Sequence, residues 1–478
     1  MIINSKLNAI NGTLTGVFLK IIQLVFPFII RTIYIKVLGV EYLGLTSFYA
    51  SILQVLNISE LGVSVALVYS MYKPIADDDK VKICQLMNLY RTYYRVIGFI
   101  VLCLGLLLLP FLKYMIHGNI PSDANVFVLY LINLFATVST YWLFAYRNSL
   151  FVAHQRNDVI NLITMFVNIL MFLVRIVCLI RLKNYYIDIG LTILFQILLN
   201  IIIAFFSKRY YPKYEPLGSV SDEEKHLINI KIRDLFTAKI SGVLNYSTSS
   251  VVISSFAGLK LLAIYQNYYY ITAAIVAFFS IFFSSLTAGI GNSLITRSQE
   301  SNRVMLYNLN YILFVVLNFC ITSLICLYQP FMQIWVGKNN MLDDSITFFF
   351  ALFLYSEVVS RLLTVFKDAG GIWEKDKYRP LVSTFTNFIL NIIFFYYLGL
   401  HGIIIASVSS LLFVSYPWLI FNINKYMFKI DVKSYLLNVF LYTCIICCCV
   451  IVTYNLVNLF NLYNIYKLKI KFRRILQE

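Results

Sequence analysis

Apolar runs long enough to cross a lipid bilayer recur along the whole chain, and they constrain its fold more than any other feature. A transmembrane helix needs about 20 consecutive apolar residues. We find thirteen such runs, and only 13% of the 478 residues are charged. Because backbone groups within lipid must be hydrogen-bonded internally, these runs predict helices, and we expect an all-α integral membrane protein. The runs cover 13–35, 43–70, 93–116, 124–146, 159–181, 186–206, 235–257, 262–289, 306–329, 346–366, 380–398, 401–423 and 435–460.

The net charge of +17 has a different meaning here from the one it would have in a soluble protein. In a soluble chain it would suggest a nucleic-acid partner. In a membrane protein, basic residues hold loops on the cytoplasmic side, so we expect no nucleic acid. The nine cysteines lie mostly inside apolar runs, and neither they nor the four histidines have the spacing of a metal site. The sequence therefore predicts no metal and no cofactor.

The distribution of basic residues between the loops predicts the orientation of the chain. If the N-terminus is cytoplasmic, the inside loops hold most of the lysines and arginines, whereas the outside loops hold Lys113, Lys260 and Lys338. We therefore expect a multi-pass membrane protein with a cytoplasmic N-terminus. No cleavable signal peptide precedes the first run, so we expect that run to remain as a helix. The inside loops are 71–95, 147–158, 207–233, 290–305, 361–379 and 424–434.

The C-terminal tail does not fit this orientation. A thirteenth span would place the tail outside, yet five lysines and arginines lie between 467 and 474. Three explanations stay open. The last run does not span the membrane, a fourteenth span is missing from the count, or the tail breaks the positive-inside rule.

Landmark residues repeat 219 positions apart, which indicates a duplicated membrane unit (258 − 39 = 219). Six spans are an even number, so the second half enters the membrane in the same direction as the first. Such parallel repeats occur in transporters whose site lies between two lobes. The matched pairs are Lys20 and Lys239, Gly39 and Gly258, Phe166 and Phe385, and Asn168 and Asn387, with Pro110 and Pro330 one residue out of step.

The repeat and the loop lengths together predict four parts. The one long connection follows the sixth span, carries charges of both signs, and is interrupted by Pro212 and Pro216. We expect an N-terminal six-helix lobe and a C-terminal six-helix lobe in a parallel pseudo-two-fold repeat around a central cavity. The predicted parts are the first lobe at 1–206, a cytoplasmic linker at 207–233, the second lobe at 234–423, and an extra transmembrane segment with a basic tail at 424–478.

Lysines within the apolar runs are the first candidates for a functional site. A lysine at the centre of a bilayer helix costs about 2.5–3.5 kcal/mol, so its presence calls for a reason. Lys20 and Lys239 occupy equivalent positions in the two halves, and Arg31 lies near the outer end of the first span. A cavity lined by such cations favours an anion, and lysine is a good partner for phosphate. The alternatives are snorkelling to the interface or, for the lysines, bonding between helices.

Three more charged residues are candidates for ion coupling or for a structural role. Glu60 lies in the middle of the second span, and Glu357 and Arg361 lie one helical turn apart in the tenth. That spacing favours an ion pair on one helix face. Arg175 lies close to the outer end of the fifth span. The sequence has no phosphate-binding loop, no nucleophile elbow and no histidine cluster, so we expect no enzyme.

Four segments of the sequence form motifs that can be compared with known families. They are 31–45, RTIYIKVLGVEYLGL; Glu60-Leu61-Gly62; Pro330-Phe331 leading to Trp335-Val336-Gly337; and 367–380, KDAGGIWEKDKYRP, followed by Asn387. These segments resemble the Wzx-type polysaccharide flippases of the multidrug/oligosaccharidyl-lipid/polysaccharide (MOP) exporter superfamily, and 367–387 is the most specific of them. The resemblance covers nearly the whole chain and implies a protein of the plasma (inner) membrane.

The resemblance implies a transporter that moves a polyprenyl-diphosphate-linked oligosaccharide to the outer face of the membrane by alternating access, for surface polysaccharide biosynthesis. With that ligand, Lys20, Lys239 and Arg31 are the residues expected to bind the diphosphate. The implied partners are the lipid-linked oligosaccharide, membrane lipids, and the glycan polymerase and glycosyltransferases of the same pathway.

One departure from the family leaves two other functions open. The family often has an aspartate after a threonine in the seventh span, whereas Thr248 is followed here by Ser249, so an ion-coupling role of that acid cannot be carried over. The first alternative is a multidrug or cation efflux antiporter of the same fold, with Glu60 as its acid. The second is a multipass glycan polymerase or transferase, against which the short outside loops and the duplication argue.

Overall fold

The computed structural model describes residues 5–60, 62–118 and 120–459, and every regular element in these ranges is helical. The all-α class predicted from the apolar runs is therefore confirmed. Internal contacts divide the chain into two compact units, Met1–Ile264 and Tyr265–Glu478. The lobes, linker and C-terminal segment predicted from the repeat are a different division, and they stay a prediction.

The helices of the first unit are α1 (Ser5–Val37), α2 (Val40–Leu56), α3 (Val63–Ala76), α4 (Lys80–Leu108), α5 (Val126–Trp142), α6 (Asn148–Ala153), α7 (Asn157–Leu182), α8 (Tyr185–Tyr210) and α9 (Asp222–Phe256), with 3₁₀ turns at Asn57–Glu60, Leu109–Met115 and Ala145–Arg147. The boundary between the units falls within α10 (Gly258–Thr296). The helices of the second unit are α11 (Gln299–Trp335), α12 (Ile346–Ala369), α13 (Trp373–Asp376), α14 (Arg379–Leu398), α15 (Leu400–Ser409), α16 (Tyr416–Tyr426) and α17 (Val432–Leu459), with a 3₁₀ turn at Lys338–Asn340 and a π-helix at Ser410–Ser415.

Among the described residues, ten helices are long and apolar enough to cross a membrane, or eleven if the bent pair Val126–Trp142 and Ala145–Ala153 is one span. This is fewer than the thirteen predicted spans. The predicted run 43–70 is divided between α2 and α3. The run 235–257 forms the second part of α9, which starts with a charged segment. The basic tail lies outside the described residues, so its three explanations stay open.

The division of the second predicted span has a local cause in Gly62. This residue has a positive φ of 91°, which side chains other than glycine rarely adopt. A Cβ atom at Gly62 would lie 2.8 Å from the backbone oxygen of Ile232 on α9. The close approach of α9 therefore coincides with a sharp turn between Asn57–Glu60 and α3.

More of the predicted linker, 207–233, is helical than its prolines and charged residues suggested. α8 continues to Tyr210 and α9 begins at Asp222, which leaves 211–221 outside helices. Asp222, Glu223 and Glu224 form the first turn of α9. Acidic side chains favour a helix N-terminus because they face the positive end of the helix dipole.

Both units contain close helix contacts of the kind that small residues allow in membrane proteins. In the first unit, Gly98 on α4 faces the ring of Trp142, and Gly105 faces Leu134 on α5. In the second unit, Gly402 on α15 lies against the backbone of Phe394 on α14. These contacts bring α4 close to α5 and α14 close to α15.

The helix ends agree with the repeat seen in the sequence. α1 ends at Val37 and α9 ends at Phe256, again 219 positions apart (256 − 37 = 219). Gly39 and Gly258 have φ angles of 115° and 86°, and each lies at the start of the next helix. The two halves of the sequence thus make the same helix–glycine–helix junction.

Candidate functional site

The predicted lysine site is described only in part. Lys20 is exposed on α1 and forms no ion pair within the described part of the chain. Lys239 lies on α9, but its side chain is outside the described residues. Arg31 is half-buried on α1 and takes part in interactions. A shared anion site formed by these three cations therefore stays a prediction.

Glu60 is held by phenol groups from two neighbouring helices. Tyr94 on α4 donates a hydrogen bond to Glu60 Oε1, and Tyr141 on α5 lies 3.1 Å from Glu60 Oε2. The carboxylate belongs to the 3₁₀ turn Asn57–Glu60, where the second predicted span is interrupted. Interrupted helices are common at ion and substrate sites of transporters because they place polar groups within the membrane.

Tyr141 connects Glu60 to Asn57. The Tyr141 hydroxyl lies 2.9 Å from Asn57 Oδ1 and 3.1 Å from Glu60 Oε2. A hydroxyl donates only one hydrogen bond, so Tyr141 donates to one of these two oxygens at a time. Glu60, Asn57, Tyr94 and Tyr141 thus form one hydrogen-bonded network at the interrupted helix.

Glu357 and Arg361 form an ion pair within α12. Arg361 Nε lies 3.2 Å from Glu357 Oε2, one helical turn away. Exposed fractions of 40% for the arginine side chain and 24% for the glutamate mean that solvent or lipid headgroups reach both groups. Pairs of this kind on one helix contribute a few tenths of a kcal/mol, about 0.3–0.5. The contact gives these residues a local partner, and any coupling role for them stays a prediction.

A buried charge cluster in the first unit includes an acid that our sequence interpretation missed. Asp188 on α8 is 1% exposed, and Arg175 on α7 binds both of its carboxylate oxygens at 2.9 and 2.8 Å. Tyr34 on α1 donates a third hydrogen bond to Asp188. Arg175 was a sequence candidate, but Asp188 was not, although it too is a charge inside an apolar run. The cluster joins α1, α7 and α8 through the side chains of Tyr34, Arg175 and Asp188.

A second buried cluster lies in the segment that resembled the flippases most specifically. Arg379 binds both oxygens of Asp376 at 2.8 Å, and Asn422 on α16 donates to the same carboxylate at 2.9 Å. Lys367 at the end of α12 lies 3.5 Å from Asp376. Both acid and arginine are at least nine-tenths buried. The side chains of this cluster therefore connect α12, α13, α14 and α16 of the second unit.

His154 lies outside the spanning helices in a small aromatic cluster of the first unit. Its ring stacks on Tyr211 with centroids 4.4 Å apart, and its Nδ1 atom is 2.8 Å from the Leu150 backbone oxygen. Burial lowers the pKa of His154 below its ordinary value of 6.5, and the hydrogen bond to Leu150 opposes this only in part. The ring is therefore held in its neutral form by the fold.

Within the described ranges, no group of three or more His, Cys, Asp or Glu side chains is placed to hold a metal ion. The charged clusters are instead made of carboxylates paired with arginine, lysine or tyrosine. Such pairs position helices and can exchange protons, but they do not supply a nucleophile activated by a base.

Comparison with known families relates this helical arrangement to a biosynthetic process. The family described as "Polysaccharide biosynthesis protein" matches residues 10–287, which is more than half of the chain. The chain belongs to this family. The resemblance to polysaccharide flippases that the sequence motifs indicated is confirmed, and the match includes Lys20, Glu60 and Lys239. A search of curated proteins found no match.

Solved structures with the same fold are membrane transporters of the MOP superfamily and a flippase. The structure titled "Lipid II flippase MurJ, inward closed conformation" matches with a TM-score of 0.60 at 15% identity, over 96% of this chain and 100% of that chain. An inward-facing multidrug resistance MATE family transporter matches with a TM-score of 0.60 at 14% identity, over 82% of this chain and 92% of that chain. A MOP superfamily transporter from Pyrococcus furiosus matches with a TM-score of 0.54 at 12% identity, over 87% and 95% of the two chains.

The fold and the family together define the class of this polysaccharide biosynthesis protein. At these identities the structural matches establish the fold alone. That fold, with about ten apolar helices, is that of a multi-pass membrane transporter of the MOP type rather than that of an enzyme.

Proposed function

We propose that this protein flips a polyprenyl-diphosphate-linked oligosaccharide from the cytoplasmic to the outer face of the plasma membrane. The observation that carries the proposal is the family match over residues 10–287, which links the chain to polysaccharide biosynthesis. Two further observations support it: the fold is shared with a lipid II flippase along the whole chain, and the sequence motifs resemble Wzx-type flippases. In this proposal the polymerase and glycosyltransferases of the pathway act on either side of the transport step.

The proposed mechanism is alternating access, in which the site faces first one side of the membrane and then the other. Lys20 and Lys239 attract the diphosphate, and Arg31 assists near the outer face. Support comes from the equivalent positions of the two lysines in the repeat and from the cost of a charge at membrane depth. The exposure of Lys20 on α1 leaves its ammonium accessible to a ligand. The lipid tail stays in the bilayer during transport.

Complementation of a strain that lacks its own repeat-unit flippase tests this proposal. Lys20→Ala and Lys239→Ala should each abolish surface polysaccharide at normal protein levels, because each removes a charge that meets the diphosphate. Lys36→Ala is a matched control, since Lys36 is also an exposed lysine on α1 but lies in its last turn. Full surface polysaccharide in the Lys20/Lys239 double variant would overturn the assignment of the site. Failure of the wild-type protein to complement any such strain would count against the function itself.

The second candidate function is efflux of a cationic drug in exchange for protons. The position of Glu60 favours it, because an acidic side chain lies in an interrupted helix and is hydrogen-bonded by Tyr94 and Tyr141. The fold shared with a multidrug resistance transporter is compatible with it. Glu60→Gln keeps the shape of the side chain but cannot ionise. If this variant lost drug resistance and kept surface polysaccharide, efflux would replace flipping as the preferred function.

A further inference from the structure

A cavity of about 510 Å³ opens on the surface of the second unit, and none of the residues assigned above to transport lines it. Its aromatic lining consists of Phe413, Trp418, Phe421 and Tyr426, and its polar lining includes Lys375 and Asn422. The volume is within the range of small-molecule sites, about 300–1,000 Å³. The combination of aromatic walls and a lysine is suited to a ligand with an apolar body and an anionic head.

The polar part of the cavity is held in place by the buried cluster of the second unit. Asp376 accepts hydrogen bonds from Arg379 and from Asn422, which lines the cavity. Lys375 precedes Asp376 in the short helix α13, so the same anchor fixes the backbone of the lysine. Binding groups whose positions are fixed by supporting hydrogen bonds lose less entropy when a ligand binds.

The apolar part of the cavity is formed where the helix is irregular. The π-helix Ser410–Ser415 carries Phe413, which is 77% exposed, and α16 carries Phe421, which is 55% exposed. π-Turns are rare and are often found at functional sites. Trp418 and Tyr426 are of the residue types enriched at the membrane–water interface. The cavity thus has one side suited to lipid chains and another suited to the headgroup region.

The surroundings of the cavity are positively charged. Lys425 Nζ lies 5.3 Å from the ring centroid of Phe421 and 5.4 Å from that of Tyr426. Counting the exposed charges of 373–378 and 425–433 gives five lysines against two acids, a net charge of +3 (5 − 2 = 3). They are Lys375, Lys377, Lys425, Lys429 and Lys433 against Glu374 and Asp431. Basic pockets beside transmembrane helices bind anionic lipid headgroups.

We propose that this cavity binds the headgroup of an anionic phospholipid, with Lys375 and Lys425 on the phosphate and the acyl chains along Phe413 and Phe421. None of the residues of the proposed diphosphate site lines this cavity, so the proposal does not rest on the proposed cargo.

Quenching of tryptophan fluorescence by brominated lipids tests the site. Trp142, Trp335 and Trp373 are replaced by phenylalanine, which leaves Trp418 as the reporter in the cavity. The protein is reconstituted in phosphatidylcholine vesicles that contain small amounts of brominated phosphatidylglycerol or brominated phosphatidylcholine. We expect half-maximal quenching by brominated phosphatidylglycerol at a lipid fraction about tenfold lower than that needed with brominated phosphatidylcholine. The reason is that two lysines attract the phosphate of the anionic lipid.

Charge variants separate specific binding from general contact with lipid. Lys375→Gln with Lys425→Gln should abolish the preference for phosphatidylglycerol. The control variant Lys183→Gln with Lys338→Gln removes the same amount of charge at exposed lysines outside the cavity. It should retain the preference for phosphatidylglycerol. Equal quenching by the two lipids, or an unchanged preference in the Lys375/Lys425 variant, would overturn the proposal. If polyprenyl phosphate reduced the quenching by brominated phosphatidylglycerol and unlabelled phosphatidylglycerol did not, the cavity would be assigned to the transport substrate instead.

A second measurement avoids the triple tryptophan replacement. Native mass spectrometry of the otherwise unaltered protein, purified with bacterial lipids, should show retained phosphatidylglycerol, and the Lys375/Lys425 variant should lose it. Equal retention by the two proteins would contradict the proposal even if the single-tryptophan variant failed to fold.

Discussion

Asp188 shows how a charge inside a membrane unit can be made stable by complete pairing. Its two oxygens are held by the guanidinium of Arg175 and the hydroxyl of Tyr34, and the carboxylate is 1% exposed. An ion pair of this kind adds little net stability over apolar residues, but breaking it leaves an uncompensated buried charge. Its value therefore lies in fixing how α1, α7 and α8 pack together.

Removing only the acid of this cluster should be strongly destabilising. Asp188→Asn leaves Arg175 charged and without its partner, and we expect a loss of about 3–5 kcal/mol. Thermal unfolding of the detergent-solubilised protein measures it. Asp234→Asn is the control, because its pair with Arg233 is about two-thirds exposed and at 3.4 Å. Unchanged unfolding of Asp188→Asn would mean that Arg175 has another anionic partner.

His154 should make the stability of the first unit depend on pH. Burial lowers its pKa in the folded protein, so the unfolded chain binds the proton more readily. The contribution of His154 to stability is therefore complete above its ordinary pKa of 6.5 and decreases as the pH falls below that value. We expect His154→Gln to lose less thermal stability than the wild type between pH 7.5 and pH 5.5. An identical loss in the two proteins would show that the fold does not exclude the proton from His154.

The turn between α2 and α3 shows the limit of hydropathy at the scale of a single element. The run 43–70 is continuous in composition, yet it is interrupted at Gly62, which has a positive φ and lies close to α9. The close approach involves Ile232, more than 160 positions away, so no local pattern could reveal it. The glycine in Glu60-Leu61-Gly62 was visible, but glycine is also common within transmembrane helices.

Replacement of Gly62 by alanine tests whether this close approach matters. The substitution adds a Cβ atom 2.8 Å from the Ile232 oxygen and also strains a backbone with φ of 91°. We expect the loss of stability to exceed the strain alone, which is about 1–3 kcal/mol. Gly337→Ala is the matched control, because its φ is 80° and no atom lies within 4 Å of the added Cβ. Equal melting temperatures of the two variants would show that α9 moves away from the added Cβ atom without a loss of stability.

At the scale of elements, the sequence predicted the presence of the helices better than the residues at which they begin and end. The apolar runs located most of the helices because a bilayer demands a minimum length. The charged start of α9 was assigned to a linker, since its acidic and basic residues resemble a solvated loop. In the structure Lys82 pairs with Glu224, and Tyr93 donates to Asn229, so this segment is a helix whose side chains bind those of α4. Contacts of this kind cannot be read from one segment alone.

At the scale of the whole molecule, the repeat in the sequence does not predict the charge pairs of each half. Both halves contain a buried acid that accepts two bonds from an arginine, Asp188 with Arg175 and Asp376 with Arg379. The acids are 188 positions apart (376 − 188 = 188), not 219, so the repeat could not predict them. The lysines that the repeat did predict lie partly outside the described residues. The helices followed from the apolar runs, whereas the pairing of charges depends on each half separately.

The orientation of the whole chain is a prediction that reporter fusions check. Alkaline phosphatase is active only outside the cytoplasm, whereas green fluorescent protein fluoresces inside it. With a cytoplasmic N-terminus, phosphatase fused after Ser122 should be active, and phosphatase fused after Gly218 should be inactive. Fluorescent protein fused at the same two positions should give the reverse result. The opposite pattern would mean that the positive-inside rule fails for this chain.

The π-helix at Ser410–Ser415 has a consequence for comparing this gene with its relatives. A π-turn accommodates one residue more than an α-turn, so a relative with an uninterrupted helix would be one residue shorter at this point. The correct alignment would then need a gap of one codon in the middle of a hydrophobic segment. Gaps in such segments are usually rejected as errors. Forcing an ungapped match here would misassign every position on one side of the turn, including Trp418 and Asn422.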